Sequence, residues 1–133
     1  MRYYVIAGEA SGDLHGANLL AGIKHNDPQA VIRFWGGDRM SAVAGAENMV
    51  KHYRENSVMG FWEVVAGARK ILKLMSLCRR DIAEFSPDVL ILIDYAGFNL
   101  RMARFAKKRG IRTYYYIAPK VWAWKESRIK KIQ

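Results

Sequence analysis

Residues 88–94 read DVLILID, five consecutive apolar side chains held between two aspartates. Successive side chains of a strand point to opposite faces, so an uninterrupted apolar run needs cover on both sides. Such a run is expected of a parallel strand inside a layered α/β sheet, and its place in the sequence predicts the central strand. Pro87 precedes it and stops whatever helix comes before.

The flanking sequence supplies the other layers. Residues 3–7 (YYVIA) form a short apolar, β-branched and aromatic run that ends at Gly8. Leu14, Ala17, Leu19, Leu20 and Ile23 then recur at helical spacing until Asn26, Asp27 and Pro28 break the pattern. Residues 31–35 predict a second strand, closed by Gly36 and Gly37. A crossover of this length fits a helix packed on a parallel sheet, and such units are right-handed. A short helical patch follows over 38–46, and the stretch through Tyr53 and Ser57 carries no period. Phe61, Val64, Val65, Ala68, Ile71, Leu72, Met75, Cys78, Ile82 and Phe85 place one face of a long helix against a core, with Lys and Arg opposite. Beyond Asp94, the residues Leu100, Met102, Ala103, Phe105 and Ala106 mark a helix ending at Gly110. Residues 113–117 predict a fourth strand, closed by Ala118 and Pro119. The alternation predicts an α/β class and a Rossmann-like, doubly wound parallel sheet.

Length, 133 residues, allows one domain, and 51% hydrophobic against 26% charged residues excludes a disordered chain. The sequence stops inside a basic helical pattern at residues 125–131. An incomplete domain is therefore expected, whose uncovered sheet edge favours a homo-oligomer. The single cysteine, Cys78, falls in an apolar helical pattern and reads as a buried thiol of a reducing compartment, the cytoplasm. The first residues lack the pattern of a secretion signal, and no apolar run reaches the roughly 18 residues of a membrane span. Lys and Arg number 22 against 12 Asp and Glu, a net charge of +10, and residues 101–133 hold eleven basic residues against one acid, Glu126. That excess suits an anionic partner, whether nucleic acid, phosphorylated substrate or phospholipid, and equally a solvated basic surface.

Ligands of open α/β sheets settle beyond the carboxyl ends of the strands, which selects the turns at residues 8–13, 94–99 and 118–124. The first turn, GEASGD, spaces its glycines at 8, 12 and 16 and matches neither the dinucleotide fingerprint nor a P-loop. Its carboxylates, Glu9 and Asp13, would repel phosphate, whereas they and Ser11 accept hydrogen bonds from a polyol such as a sugar. Ser11 and Asp13 equally suit a helix cap. Asp94 ends the most apolar strand, the desolvated setting in which general bases are found, and it also suits a cap on the next helix. Gly97, ahead of Phe98 and Asn99, would permit a tight turn. Met59, Phe61 and Trp62 lead into a helix bearing Arg69, Lys70, Lys73, Arg79 and Arg80, a pattern suited to anionic lipid and also to an ordinary core face. YYYIAPKVWAWK mixes aromatic and basic residues, but a strand sends Tyr114 and Tyr116 to one side and Tyr115 to the other, which disfavours a base-stacking platform. The three histidines, His15, His25 and His52, are scattered without metal spacing, so no metal and no cofactor is expected.

Taken in order, AGEASGDLHGA, SVMGFWEV, IDYAGFN and PKVWAWKESRIKKI resemble the amino-terminal part of the lipid A disaccharide synthase family. The resemblance implies a glycosyltransferase of the B-type fold whose amino-terminal half receives the acceptor, with the donor-binding carboxyl-terminal half absent from these 133 residues. It implies transfer of 2,3-diacylglucosamine from UDP to 2,3-diacylglucosamine 1-phosphate with inversion and release of UDP. Asp94 matches the family's proposed general base, and Gly8, Glu9, Ser11, Gly12 and Asn99 match its substrate-binding positions. Where the family's motif has Pro and often Asp, this chain has Ala96 and Gly97. A diacylated substrate further implies a peripheral, cytoplasmic enzyme on the inner face of the inner membrane, docked on an anionic surface through Met59, Phe61 and Trp62. The alternative reading is a basic nucleic-acid-binding module, which would account for the net charge and the Tyr and Trp cluster but not for GEASGD or Asp94, and the resemblance does not call for nucleic acid. The chain alone is expected to be inactive, since one domain cannot supply both walls of an interdomain cleft.

Overall fold

The computed structural model describes residues 1–56 and 61–116, with residues 56 and 61–68 described as backbone only. Their elements alternate: β1 (Arg2–Ala7), α1 (Ala10–Asn26), β2 (Val31–Gly36), α2 (Asp38–Ala44), β3 (Met49–His52), α3 (Phe61–Phe85), β4 (Val89–Ile93), α4 (Ala96–Lys108) and β5 (Arg112–Tyr116), with single 3-10 turns on either side of β3. Among the described residues the five strands form one sheet in the order β3-β2-β1-β4-β5, parallel throughout.

Two hydrophobic cores cover the two faces. On one, Tyr4, Ile6, Trp35, Leu90 and Leu92 meet Leu74, Met75, Cys78 and Ile82 of α3 and Phe98, Met102 and Ala106 of α4. On the other, Val5, Ala7, Ile32, Phe34, Val89, Ile91 and Ile93 meet Ala17 and Leu20 of α1 and Met40 and Ala44 of α2. Each interior strand thus buries both of its faces, as the apolar run of residues 89–93 requires, and all five of those residues are buried. The doubly wound α/β expectation holds.

Three sequence expectations are corrected. β1, not β4, is the middle strand, because two-sided burial is common to every interior strand and does not rank them. Residues 49–52, which show no period, are a fifth strand: β3 is a four-residue edge whose side chains are all half-buried, so neither face is covered fully enough to leave an apolar signature. Leu72 is 60% exposed, while Leu74 is buried. The stripe of α3 that packs on the core runs through residues 71, 75, 78, 82 and 85, and Leu72 stands one residue off it, turned about 100° toward solvent.

A polar chain fastens α3 to the sheet. Arg33 of β2 donates to Asp81 through two nitrogens, at 2.6 and 2.7 Å, and the Tyr4 hydroxyl donates to the same carboxylate at 2.7 Å. Trp35 in turn donates its indole N–H to the Tyr4 oxygen at 2.8 Å. Burial, followed by the neighbouring Cys78 and Asp81, pushes the Tyr4 phenol far above its ordinary range, so it stays protonated and keeps donating. Burial pushes the Cys78 thiol up likewise, which makes it inert. Asp81→Ala strands both donors and is expected to cost about 2 kcal/mol, discounted for the partial exposure of Arg33. Urea denaturation followed by circular dichroism measures this, and an unmoved midpoint would contradict the role. Cys78 is expected to react with a thiol reagent only once the chain is unfolded.

Candidate functional site

Because every strand is parallel, the carboxyl ends of β1, β2, β4 and β5 share one rim. Register places Ala7 beside Ile93, and Ile93 beside Tyr116. From β1 the chain leaves through α1 on one face, and from β4 it leaves through α4 on the other. The crevice between β1 and β4 is therefore the topological switch point, where α/β sheets hold their ligands. The corners after residues 7 and 93 flank it. The third corner expected from the sequence, residues 118–124, lies outside the described residues.

The second corner is built under strain. Asp94 and Tyr95 both adopt left-handed backbone angles, with φ of 47° and 52°. Such a conformation costs about 1–2 kcal/mol for each non-glycine residue, so neighbouring groups must hold it. The Asp94 N–H donates to the Tyr116 carbonyl at 2.9 Å. Its own carbonyl accepts from the Asn99 amide at 2.8 Å and from the Tyr115 hydroxyl at 2.9 Å. Asn99 is wholly buried, and its amide nitrogen also reaches the carbonyls of Ile6 and Ile93 at 3.4 and 3.3 Å. One side chain thus ties the ends of β1 and β4 to the corner between them. Its Oδ1 is buried and accepts no hydrogen bond among the described residues.

Asp94 is 9% exposed. Burial, and then the nearby Asp94 charge, push the Tyr115 phenol above its usual value. Gly97 does not form the tight turn expected of it: it lies within the first turn of α4, with nothing within 4 Å of where a Cβ would stand. The bend belongs to residues 94 and 95 instead. Ala96 is the first helical residue, a position at which proline's missing N–H costs nothing, so this departure from the family pattern leaves the bend intact.

In the first corner, the ring of Tyr95 lies across Gly8, where an added Cβ would come within 2.4 Å of it. The same ring stacks on Phe98 at 5.1 Å. Burial, and then the charge of Glu9, push the Tyr95 phenol up. Glu9 is exposed at the head of α1 and makes no side-chain cap there. Ser11 is half-buried in the first helical turn. Gly12 and Gly16 are seats for packing: a Cβ on Gly12 would meet Ala7 at 3.2 Å, and one on Gly16 would meet the Met40 sulfur at 2.6 Å. Four-residue spacing puts both on one face of α1, which explains why the motif fits no nucleotide fingerprint.

Asp13 departs from both expectations, since it neither caps its own helix nor faces a polyol. It is 3% exposed, and its carboxylate caps α2, accepting from the N–H groups of Gly37, Arg39 and Met40 at 2.8–3.0 Å. Of the two acids in the motif, only Glu9 faces outward. Sequence reasoning also passed over Tyr95 and Tyr115, because nothing in their spacing signals that one ring covers Gly8 and the other hydroxyl holds Asp94. His52 packs on Tyr53 at 4.6 Å and His15 approaches Tyr116 at 5.8 Å. Among the described residues no three His, Cys, Asp or Glu converge as a metal site would require. Asp13→Ala is expected to lower stability by about 2 kcal/mol, while Ser11→Ala stays within about 0.5 kcal/mol. Equal losses on urea denaturation would contradict this division of roles.

The family model described as lipid-A-disaccharide synthetase matches residues 3–133. Lipid-A-disaccharide synthase of Geobacter metallireducens is 45% identical over 98% of this chain and 34% of its own length. The enzymes of that name from Trichlorobacter lovleyi and Coxiella burnetii are each 42% identical, over 99% and 97% of this chain. Among solved structures, UDP-GlcNAc 2-epimerase from Neisseria meningitidis aligns over 99% of this chain and 38% of its own, at 9% identity and a TM-score of 0.48. The chain spans about a third of the length of the curated relatives it matches. With that model matched across nearly every residue, and the relatives' identity sustained over the same span, the chain belongs to the lipid-A-disaccharide synthetase family.

Proposed function

We propose that this chain is the acceptor-side domain of a glycosyltransferase that joins two acylated glucosamines in lipid A synthesis, with Asp94 as general base. The observation that carries this reading is the Asp94 corner: an almost fully buried carboxylate residue at the switch point, on a strained bend fixed by Asn99 and Tyr115. Preorganisation of this kind lets a base act without a large cost of reorientation. In the proposed step, the Asp94 carboxylate takes the proton from a hydroxyl of 2,3-diacylglucosamine 1-phosphate. The freed oxygen pair bonds to the anomeric carbon of UDP-2,3-diacylglucosamine from the opposite face. The bond from that carbon to the diphosphate oxygen breaks, UDP departs, and the configuration inverts. Glu9 and Ser11 would receive sugar hydroxyls, Gly8 and Gly12 would hold the corner in shape, and Asn99 would act by positioning Asp94 rather than by touching substrate.

Donor contacts belong to a second domain, so the 133 residues by themselves are expected to transfer no sugar. A longer form carrying Asp94→Asn is expected to lose about 10²–10⁴-fold in kcat, with unchanged thermal unfolding. Near-normal turnover would move the base elsewhere.

The domain is further proposed to dock peripherally on the anionic inner face of the inner membrane. Support comes from α3, where Arg69, Lys70, Lys73 and Arg80 are exposed alongside Leu72, an apolar side chain among cations. No helix among the described residues is long and apolar enough to cross a membrane. Met59 lies outside the described residues, and Phe61 and Trp62 are described as backbone only. Replacing Phe61 and Trp62 together with Ser is expected to weaken sedimentation with anionic vesicles while leaving the unfolding midpoint in place. Unchanged binding would overturn the docking assignment.

A further inference from the structure

Between α1 and the ends of β4 and β5 lies a cavity of about 330 Å³, lined by His15, Asn18, Leu19, Ile93 and Tyr116. Neither Glu9 nor Ser11 is among its lining residues, and it is joined to the Asp94 corner through the backbone. Ile93 immediately precedes Asp94, and the carbonyl of Tyr116 accepts the Asp94 N–H at 2.9 Å. The branched side chain of Ile93 reaches beneath Gly12, where an added Cβ would lie 3.5 Å from it. Whatever occupies this cavity therefore ends beside the bend that carries the acid.

The lining says what kind of group fits. Leu19, Ile93 and the ring of Tyr116 supply apolar walls, and none of the five residues is Lys, Arg, Asp or Glu. Among the described residues that line it, none offers a phosphate a fixed cation, and burying one beside Leu and Ile would be costly. His15 and Asn18 stand one helical turn apart, with the His15 ring 5.8 Å from that of Tyr116. They add polar atoms to an otherwise apolar lining. The volume accommodates roughly eleven groups of about 30 Å³ each, the size of a water molecule in the liquid. That volume, with apolar walls, would accommodate a short hydrocarbon segment.

We infer that this cavity is an acyl subsite, which takes the proximal methylenes of one acyl chain of the acceptor and so sets the sugar's depth relative to Asp94. The assignment rests on the acceptor reading above and adds to it the place where an acyl chain is read. Burying each further methylene strengthens binding by up to about fourfold, so chain length is a direct readout.

The test measures calorimetric affinity of the 133-residue chain for glucosamine 1-phosphate, unacylated and carrying one 3-O-acyl chain of four, six or eight carbons. Affinity is expected to climb with chain length. Leu19→Phe, which fills the cavity, should flatten that climb while leaving the unacylated sugar's affinity unchanged. Tyr116→Ala, which removes a wall instead of filling the space, should also reduce the gain per methylene, and it serves if Leu19→Phe fails to fold. Equal climbs in the variants and the parent would overturn the acyl subsite and leave the acceptor reading standing. So would bound headgroup with no dependence on chain length. If none of the four compounds binds, the acceptor reading falls and the subsite falls with it.

Discussion

A parallel sheet has to be dry on both faces, and that requirement organises this molecule. Its strands cannot be joined by tight hairpins, so each connection crosses over as a helix. Here α1 and α2 cover one face while α3 and α4 cover the other. The change of side falls between β1 and β4, and it opens a crevice at the carboxyl ends of those two strands. Burial of apolar side chains thus determines where a ligand can lie, before any polar residue is considered.

Around that crevice, polar groups serve geometry more than they face outward. Asn99 gives its amide to three main-chain carbonyls, Tyr115 gives its hydroxyl to the Asp94 carbonyl, and Asp13 gathers three N–H groups at the head of α2. The bend at Asp94 and Tyr95 needs this support, because two consecutive left-handed residues would otherwise relax. Tyr95 couples the corners sterically, since its ring occupies the space that a side chain at residue 8 would require. The glycine motif therefore serves steric fit, with Gly12 set against Ala7 and Gly16 against Met40.

Much of this was legible from residue order. The apolar run at 89–93, the helical face of 61–85 and the proline and glycine stops gave the layers, because periodic burial leaves a periodic sequence. The strand at residues 49–52 was not legible, since an edge strand with half-buried side chains has no such period. Neither was the place of β1 at the centre, nor the outward turn of Leu72, which depends on where the α3 stripe meets the sheet. At the candidate site, Asp94 drew attention because an acid ends an apolar strand, and Glu9 because an acid sits where phosphate-binding turns have none.

By itself the sequence determined the class of fold, the rim at which the strands end and the family motifs, all of which follow from local pattern and order. Only the tertiary structure decided what each polar side chain does there. It sent Asp13 to the neighbouring helix, enlisted Asn99 in holding the backbone, laid Tyr95 over Gly8 and moved the bend from Gly97 to Asp94. The reason is physical: a hydrogen bond or a ring contact depends on distances between residues far apart in the chain, and those distances exist only once both faces of the sheet are packed.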